Sequence, residues 1–130
     1  EMLEQPLHAE KDEALRNTAF PLPLGADESC HDTATLDRLQ GLYQVVNIKL
    51  DKTGGLTEAL RLKAAAERMG FRVMVGCMLA TSLSMAPAHL VAQGVAFVDT
   101  DGPLLMAADR EPGLRYEGSL VHPPEAELWG

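Results

Sequence analysis

The stretch Val45–Leu56, VVNIKLDKTGGL, decides the fold. Its first six residues alternate as a strand does. Val46, Ile48 and Leu50 share one face, and Val45, Asn47 and Lys49 share the other. The first face is apolar and suits packing under helices. The second carries an amide and an ammonium group, and burying an unpaired ammonium is costly. A sheet covered by helices on both faces offers no polar environment at such a position. The mouth of a closed barrel does.

Four other apolar runs recur at similar spacing: Met2–Leu7, Pro21–Ser29, Phe71–Met78 and Val95–Asp101. Helix-like stretches lie between the runs. Lys11–Asn17 is short and charged, and Thr33–Leu42 carries Leu36, Leu39 and Leu42 at helical spacing. Leu56–Met69 presents a broad apolar side and stops at Gly70. Leu83–Gln93 reads as a fourth helix, with Pro87 in its first turn. Strand and helix therefore alternate, which calls for a parallel sheet with helices outside it. Residues 103–130 break the rhythm. They are rich in Pro, Gly and charge, with strand-like pieces at Leu104–Ala107 and Leu114–Tyr116, and read as a tail packing on something other than the barrel helices.

Three of the four other strands end as the first does. Glu4 is in phase with Met2, Asp27 with Gly25, and Asp99 and Asp101 with Phe97. In a (β/α) barrel the C-terminal strand ends surround the active site. Carboxylates gathered there repel one another unless a cation joins them. Glu4 and Asp27 offer hard oxygen donors, which suit Mg²⁺. Lys49 would stand beside that ion, where a neighbouring cation and partial desolvation would lower its pKa and favour action as a base.

Composition narrows the function classes. The chain has 130 residues, 46% hydrophobic and 23% charged, with net charge −8. That charge argues against nucleic acid as a partner. No apolar run is long enough to span a bilayer, and the opening EMLEQPL has neither the basic region nor the apolar core of a signal peptide. Cys30 and Cys77 stand far apart without metal-type spacing and fit reduced thiols in a cytoplasmic protein.

Three short motifs in order, LEQP (Leu3–Pro6), ADES (Ala26–Ser29) and NIKLDKTGG (Asn47–Gly55), resemble the muconate-lactonizing subgroup of the enolase superfamily. The closing VDTDGP (Val98–Pro103) is similar to that of the dipeptide epimerases of this subgroup, the L-Ala-D/L-Glu type. The resemblance implies an α/β fold: strands four to eight, the C-terminal half, of a (β/α)₇β TIM-like barrel. Residues 1–102 would form that half and residues 103–130 a tail packing on a capping domain.

It also implies roles. Glu4 and Asp27 would be two of three Mg²⁺ ligands, Lys49 one of two acid/base lysines, and Asp99 and Asp101 the clamp on the substrate's α-ammonium group. The third ligand, the opposing Lys-x-Lys and the cap that reads side chains have no counterpart here. A barrel of this kind needs roughly 250 residues, so the N-terminal half and cap are expected partners of this chain. Ala80 stands where a polar or acidic residue is expected in some epimerases, which bears on side-chain specificity.

The implied reaction is Mg²⁺-dependent epimerisation of a dipeptide, by removal and return of the proton α to a carboxylate through an enediolate. An o-succinylbenzoate synthase, N-acylamino acid racemase or cycloisomerase would share Glu4, Asp27 and Lys49 but need no ammonium clamp. A fragment inactive without its complement is the reading from outside catalysis, and a homo-oligomer is left open. Lys52 reads as a solvated loop charge and Glu28 as an out-of-phase neighbour that could pair with a lysine. His31 lies closest to the mouth; His8, His89 and His122 read as surface or helix residues. Cys77 reads as a small apolar wall, and Gly54-Gly55 as the turn into a helix.

Overall fold

A computed structural model describes all residues, Glu1 to Gly130. Five strands form one sheet in the order β1-β2-β3-β4-β5: β1 (Leu3–Glu4), β2 (Leu24–Ala26), β3 (Val45–Ile48), β4 (Arg72–Val75) and β5 (Phe97–Val98). Every adjacent pair is parallel and sequential. All five C-terminal ends therefore lie along one edge of a half-barrel.

The register confirms the alternation. Glu4 pairs with Gly25, Gly25 with Val45, Asn47 with Met74, and Met74 with Phe97. These residues form one face. Leu24, Ala26, Val46, Ile48, Val73 and Val75 form the other and belong to a single apolar core with residues of the helices. Burial of that face is the main source of stability, at about 25 cal/mol per Å² of apolar surface removed from water.

The helices are α1 (Leu36–Leu39), α2 (Leu50–Thr53), α3 (Leu56–Arg68) and α4 (Ser82–Val91). The sequence of α3, LTEALRLKAAAER, is almost all strong helix formers. It buries Ala59, Leu62, Ala65 and Ala66 on one stripe, and the small alanines bring its axis close to β3 and β4. Its end is a Schellman turn. Gly70 takes φ +86°, its N–H donates to the Glu67 carbonyl at 3.1 Å, and the Phe71 N–H donates to Ala66 at 3.0 Å. Gly54 at φ +73° and Gly55 at φ +126° make the turn from α2 into α3.

Three expectations need correction. Helix α4 starts at Ser82, so Pro87 falls in its second turn, where its missing N–H leaves the Leu83 carbonyl without a helical donor. Leu104 does not open a strand. Gly102–Leu105 is a 3₁₀ turn, begun by Pro103 and closed by the Leu104 N–H on the Asp101 carbonyl at 2.8 Å. The tail does touch a barrel helix. After the hairpin of β6 (Tyr116–Glu117) and β7 (Leu120–Val121), α5 (Ala126–Trp129) packs on α4 and buries Leu128. Asp109 accepts from the Ser82 backbone N–H at 2.9 Å, and Ser82 Oγ accepts from the Leu114 N–H at 2.8 Å. The first turn of α4 supplies orphan donors, and the tail satisfies one. No helix is long and apolar enough to cross a membrane.

Candidate active site

Glu4 closes β1, Asp27 follows β2 directly, Lys49 follows β3, and Asp99 follows β5. Asp27, Lys49 and Asp99 each lie two residues beyond a paired position of the inward face, so all three point as Glu4 does. The structure thus brings the candidate residues to one edge in one phase. Glu4 and Asp27 line a cavity of about 610 Å³ with Gln5, His8, Lys11 and Glu28. Asp99 and Asp101 line a second, of about 490 Å³, with His89 and Tyr116. His8, read as a surface residue, is exposed but borders the first cavity, and His31 borders neither.

The centre of the arrangement is Asp27. Lys49 Nζ donates to its Oδ2 at 2.7 Å, and Lys52 Nζ donates to its Oδ1 at 2.6 Å. Lys52 is therefore no solvated loop charge. Its side chain is 12% exposed, and its ammonium also reaches the carbonyls of Asp27 at 2.6 Å and Asn47 at 3.0 Å. The single turn of α2 places Lys49 and Lys52 on one side, three residues apart, and that spacing was the available signal. Glu28 forms no ion pair with either lysine; it is exposed at the cavity wall.

The charges respond to one another across the mouth. Burial alone would raise the Asp27 carboxyl, but the hydrogen bonds and charges of Lys49 and Lys52 hold it below its ordinary value. Burial alone would lower the Lys49 ammonium. The hydrogen bond and charge of Asp27 outweigh that, with Glu4 and Glu28 adding to them, and Lys49 stands above its ordinary value. The raising comes from the Asp27 anion; the lowering expected beside a bound cation is a property of the loaded site. At the far side, desolvation at the crowded rim and the charge of Asp101 push Asp99 up, with Glu4 contributing. Cys77 lies between the halves. Its thiol is pushed up by burial, and it feels Asp99, Asp101 and Lys49.

Asn47 completes the inner wall. It is fully buried, and its Nδ2 donates to Glu4 Oε1 at 2.5 Å while its Oδ1 has no hydrogen-bond partner. It fits because Gly76, just past the end of β4, has no side chain: a Cβ there would lie 2.6 Å from Asn47 Oδ1. Gly76→Ala will accordingly displace Asn47 from Glu4 and destabilise the fold by about 1–3 kcal/mol, the usual range for overpacking. Urea unfolding of Gly76→Ala beside Asn47→Ala checks this, since the alanine at residue 76 should cost less once residue 47 is small.

No group of three His, Cys, Asp or Glu side chains gathers as a metal centre within this chain. The donor chemistry nevertheless fits a hard divalent ion as two of its ligands. Glu4 and Asp27 line one cavity, and Asp27 already draws two ammonium groups to itself.

Comparisons with known proteins agree with this geometry. Residues 1–127 match the family model described as enolase C-terminal domain-like. The chain is 54% identical over 129 residues to N-acetyl-D-glutamate racemase of a Pseudoalteromonas species, covering 99% of this chain and 41% of the relative. It is 52% identical over 121 residues to L-Ala-D/L-Glu epimerase of Escherichia coli K12, covering 93% of this chain and 38% of that protein. A crystal structure of an enolase family member from Agrobacterium tumefaciens, homologous to dipeptide epimerases and holding sodium and L-Ala-L-Glu, superposes with TM-score 0.97 at 64% identity. That match covers 99% of this chain and 40% of the other. The chain thus spans about two fifths of the length of these relatives. The family match over residues 1–127 and the superposed half-barrel have one source: the chain belongs to the enolase C-terminal domain-like family.

Proposed function

We propose that this chain is part of an isomerase that inverts the stereocentre α to a carboxylate in a dipeptide of the L-Ala-D/L-Glu type, through an enediolate. The observation that carries the reading is the common phase of Glu4, Asp27, Lys49 and Asp99 at one edge of the parallel sheet. Glu4 and Asp27 would hold Mg²⁺, which when bound would stabilise the negative charge that builds on the substrate carboxylate as the proton leaves. Lys49 as the free amine takes the α-proton of one epimer, and a second acid on the opposite face delivers a proton there; for the other epimer the roles exchange and Lys49, as the ammonium, is the donor. Lys52 stays on Asp27 Oδ1 and keeps that carboxylate ionised and oriented. Asp99 and Asp101 line one cavity, and the charge of Asp101 helps to raise Asp99, which leaves the pair in want of a cation. A substrate ammonium would meet that want by charge-assisted hydrogen bonds.

One of the relatives cited above is named for N-acetyl-D-glutamate, whose nitrogen is acylated and uncharged. Racemisation of an N-acyl amino acid is therefore the second reading, and in it Asp99 and Asp101 have no ammonium to bind. The test is α-proton exchange in ²H₂O by the full-length protein. L-Ala-L-Glu should take up deuterium at the glutamyl α-carbon and yield the D-epimer, with loss under a chelator and recovery on adding Mg²⁺. Exchange in N-acetyl-glutamate alone would overturn the dipeptide in favour of the second reading, and exchange in neither would overturn both. The two free cysteines support a reducing, cytoplasmic setting. Peptides released in cell-wall turnover would supply such a substrate there.

A further inference from the structure

The first sheet pair contains an irregularity that the proposed chemistry does not explain. Strands β1 and β2 follow a parallel ladder through the Gln5 N–H, which donates to the Gly25 carbonyl at 2.8 Å. The next bond of a regular ladder would run from the Asp27 N–H to the backbone carbonyl of Gln5. It does not form. Gln5 takes φ +36°, a left-handed conformation unusual for a residue with a side chain, and Pro6 follows it without an N–H. The Asp27 N–H donates instead to the Gln5 side-chain oxygen, Oε1, at 2.9 Å, and the Ser29 N–H donates to the same atom at 3.2 Å.

The other end of that amide is held as firmly. Gln5 Nε2 donates to the Leu7 carbonyl at 2.8 Å and to Ser29 Oγ at 2.9 Å, with Tyr43 Oη at 3.0 Å. Tyr43 in turn donates to the buried carboxylate of Asp12 at 2.7 Å. Ser29 and Asp12 are buried, so water is a poor substitute for these partners. A chain turning away at Pro6 would otherwise leave β1 and β2 unlinked at the step where each presents its carboxylate.

We infer that Gln5 is a positioning residue whose side-chain amide replaces a peptide unit between β1 and β2, fixing Glu4 and Asp27 relative to one another so that both serve one divalent cation. The inference rests on the assignment of Glu4 and Asp27 as ligands proposed above. Both ends of the Gln5 amide are engaged by protein partners, so it acts through the backbone of its neighbour Glu4 and through the Asp27 N–H.

The test measures metal affinity directly in the full-length protein, with Mn²⁺ as the probe and free Mn²⁺ read by electron paramagnetic resonance. Gln5→Met keeps the length of the side chain and removes every hydrogen bond. Gln5→Asn keeps the amide but withdraws it by one methylene, and it carries the test if the methionine variant does not fold. Loss of such an outer support is expected to weaken Mn²⁺ binding by about 10- to 100-fold, with turnover recovering toward the wild-type value at saturating Mg²⁺. A purely structural role would lower the melting temperature and leave metal affinity untouched. Folded variants that bind Mn²⁺ as the wild type does would overturn the inference and leave the proposed function standing. A wild-type protein that binds Mn²⁺ but exchanges no α-proton would overturn the function and leave this inference standing. A wild-type protein that binds no Mn²⁺ would overturn the ligand assignment and the inference with it.

Discussion

Lys49→Ala in the full-length protein will abolish solvent exchange of the α-proton from one epimer of the substrate and leave exchange from the other. Inversion needs a proton acceptor on one face and a donor on the opposite face. In the proposed mechanism Lys49 serves one of them, so half of the reaction should survive its loss. Overall epimerisation should fall on the order of 10³-fold, within the range that general acid–base groups supply. Lys49→Arg separates chemistry from structure. A guanidinium keeps the charge that Asp27 needs but does not deprotonate at any working pH, so it should restore stability and not turnover. Equal exchange from both epimers in Lys49→Ala would remove Lys49 from the mechanism.

The second large effect is on stability. In Asp27→Asn the two ammonium groups of Lys49 and Lys52, each with a side chain no more than 15% exposed, lose the carboxylate they share. Removing one partner from a largely buried ionic group costs about 3 kcal/mol or more, because the remaining charges are left uncompensated. Denaturant unfolding of the metal-free protein at neutral pH should register that loss, and Lys52→Met in the same background should recover part of it. A variant as stable as the wild type would show that the ion pairs contribute nothing net.

The pH dependence has a definite sign. The folded pKa of Asp27 is depressed below its ordinary 3.8, so its contribution is fully present above that value and is lost as pH falls through the folded pKa. The advantage of wild type over Asp27→Asn should be flat near neutrality and shrink only below about pH 4. Lys49 is raised above 10.5, so its contribution persists below that value and is lost as pH rises through the folded pKa.

Much of the site was legible before any tertiary contact was known, because a strand has a period of two. That period put Lys49 and Asn47 on the face opposite Val46 and Ile48, and the parallel register carries the same phase to Glu4, Asp27 and Asp99. Lys52 was misread because strand phase ends at Ile48. A helical turn then bends the chain back and folds the Lys52 side chain under Asp27. Gln5 passed unremarked for a related reason. Apart from Leu7, its partners Asp27, Ser29 and Tyr43 are 22 to 38 residues away, and only the adjacent Pro6 hinted that the ladder would need another donor or acceptor. The tail was misplaced because short segments rich in Pro and Gly carry no period to read. Their positions follow from single contacts such as Asp109 on the N-terminus of α4.

The sequence by itself determined the alternation of strand and helix, the face each strand buries and the edge at which its charged residues gather. Those follow from periodicity and from the free energy of hiding apolar side chains, both local in the chain. Only the tertiary structure decided how the charges pair: that Asp27 holds two lysines, that Lys49 has an anion for its nearest charged partner, and that a glutamine amide stands in for backbone between β1 and β2. Electrostatics and hydrogen bonding depend on distances of a few ångströms between residues remote in sequence, and no pattern along the chain encodes those distances.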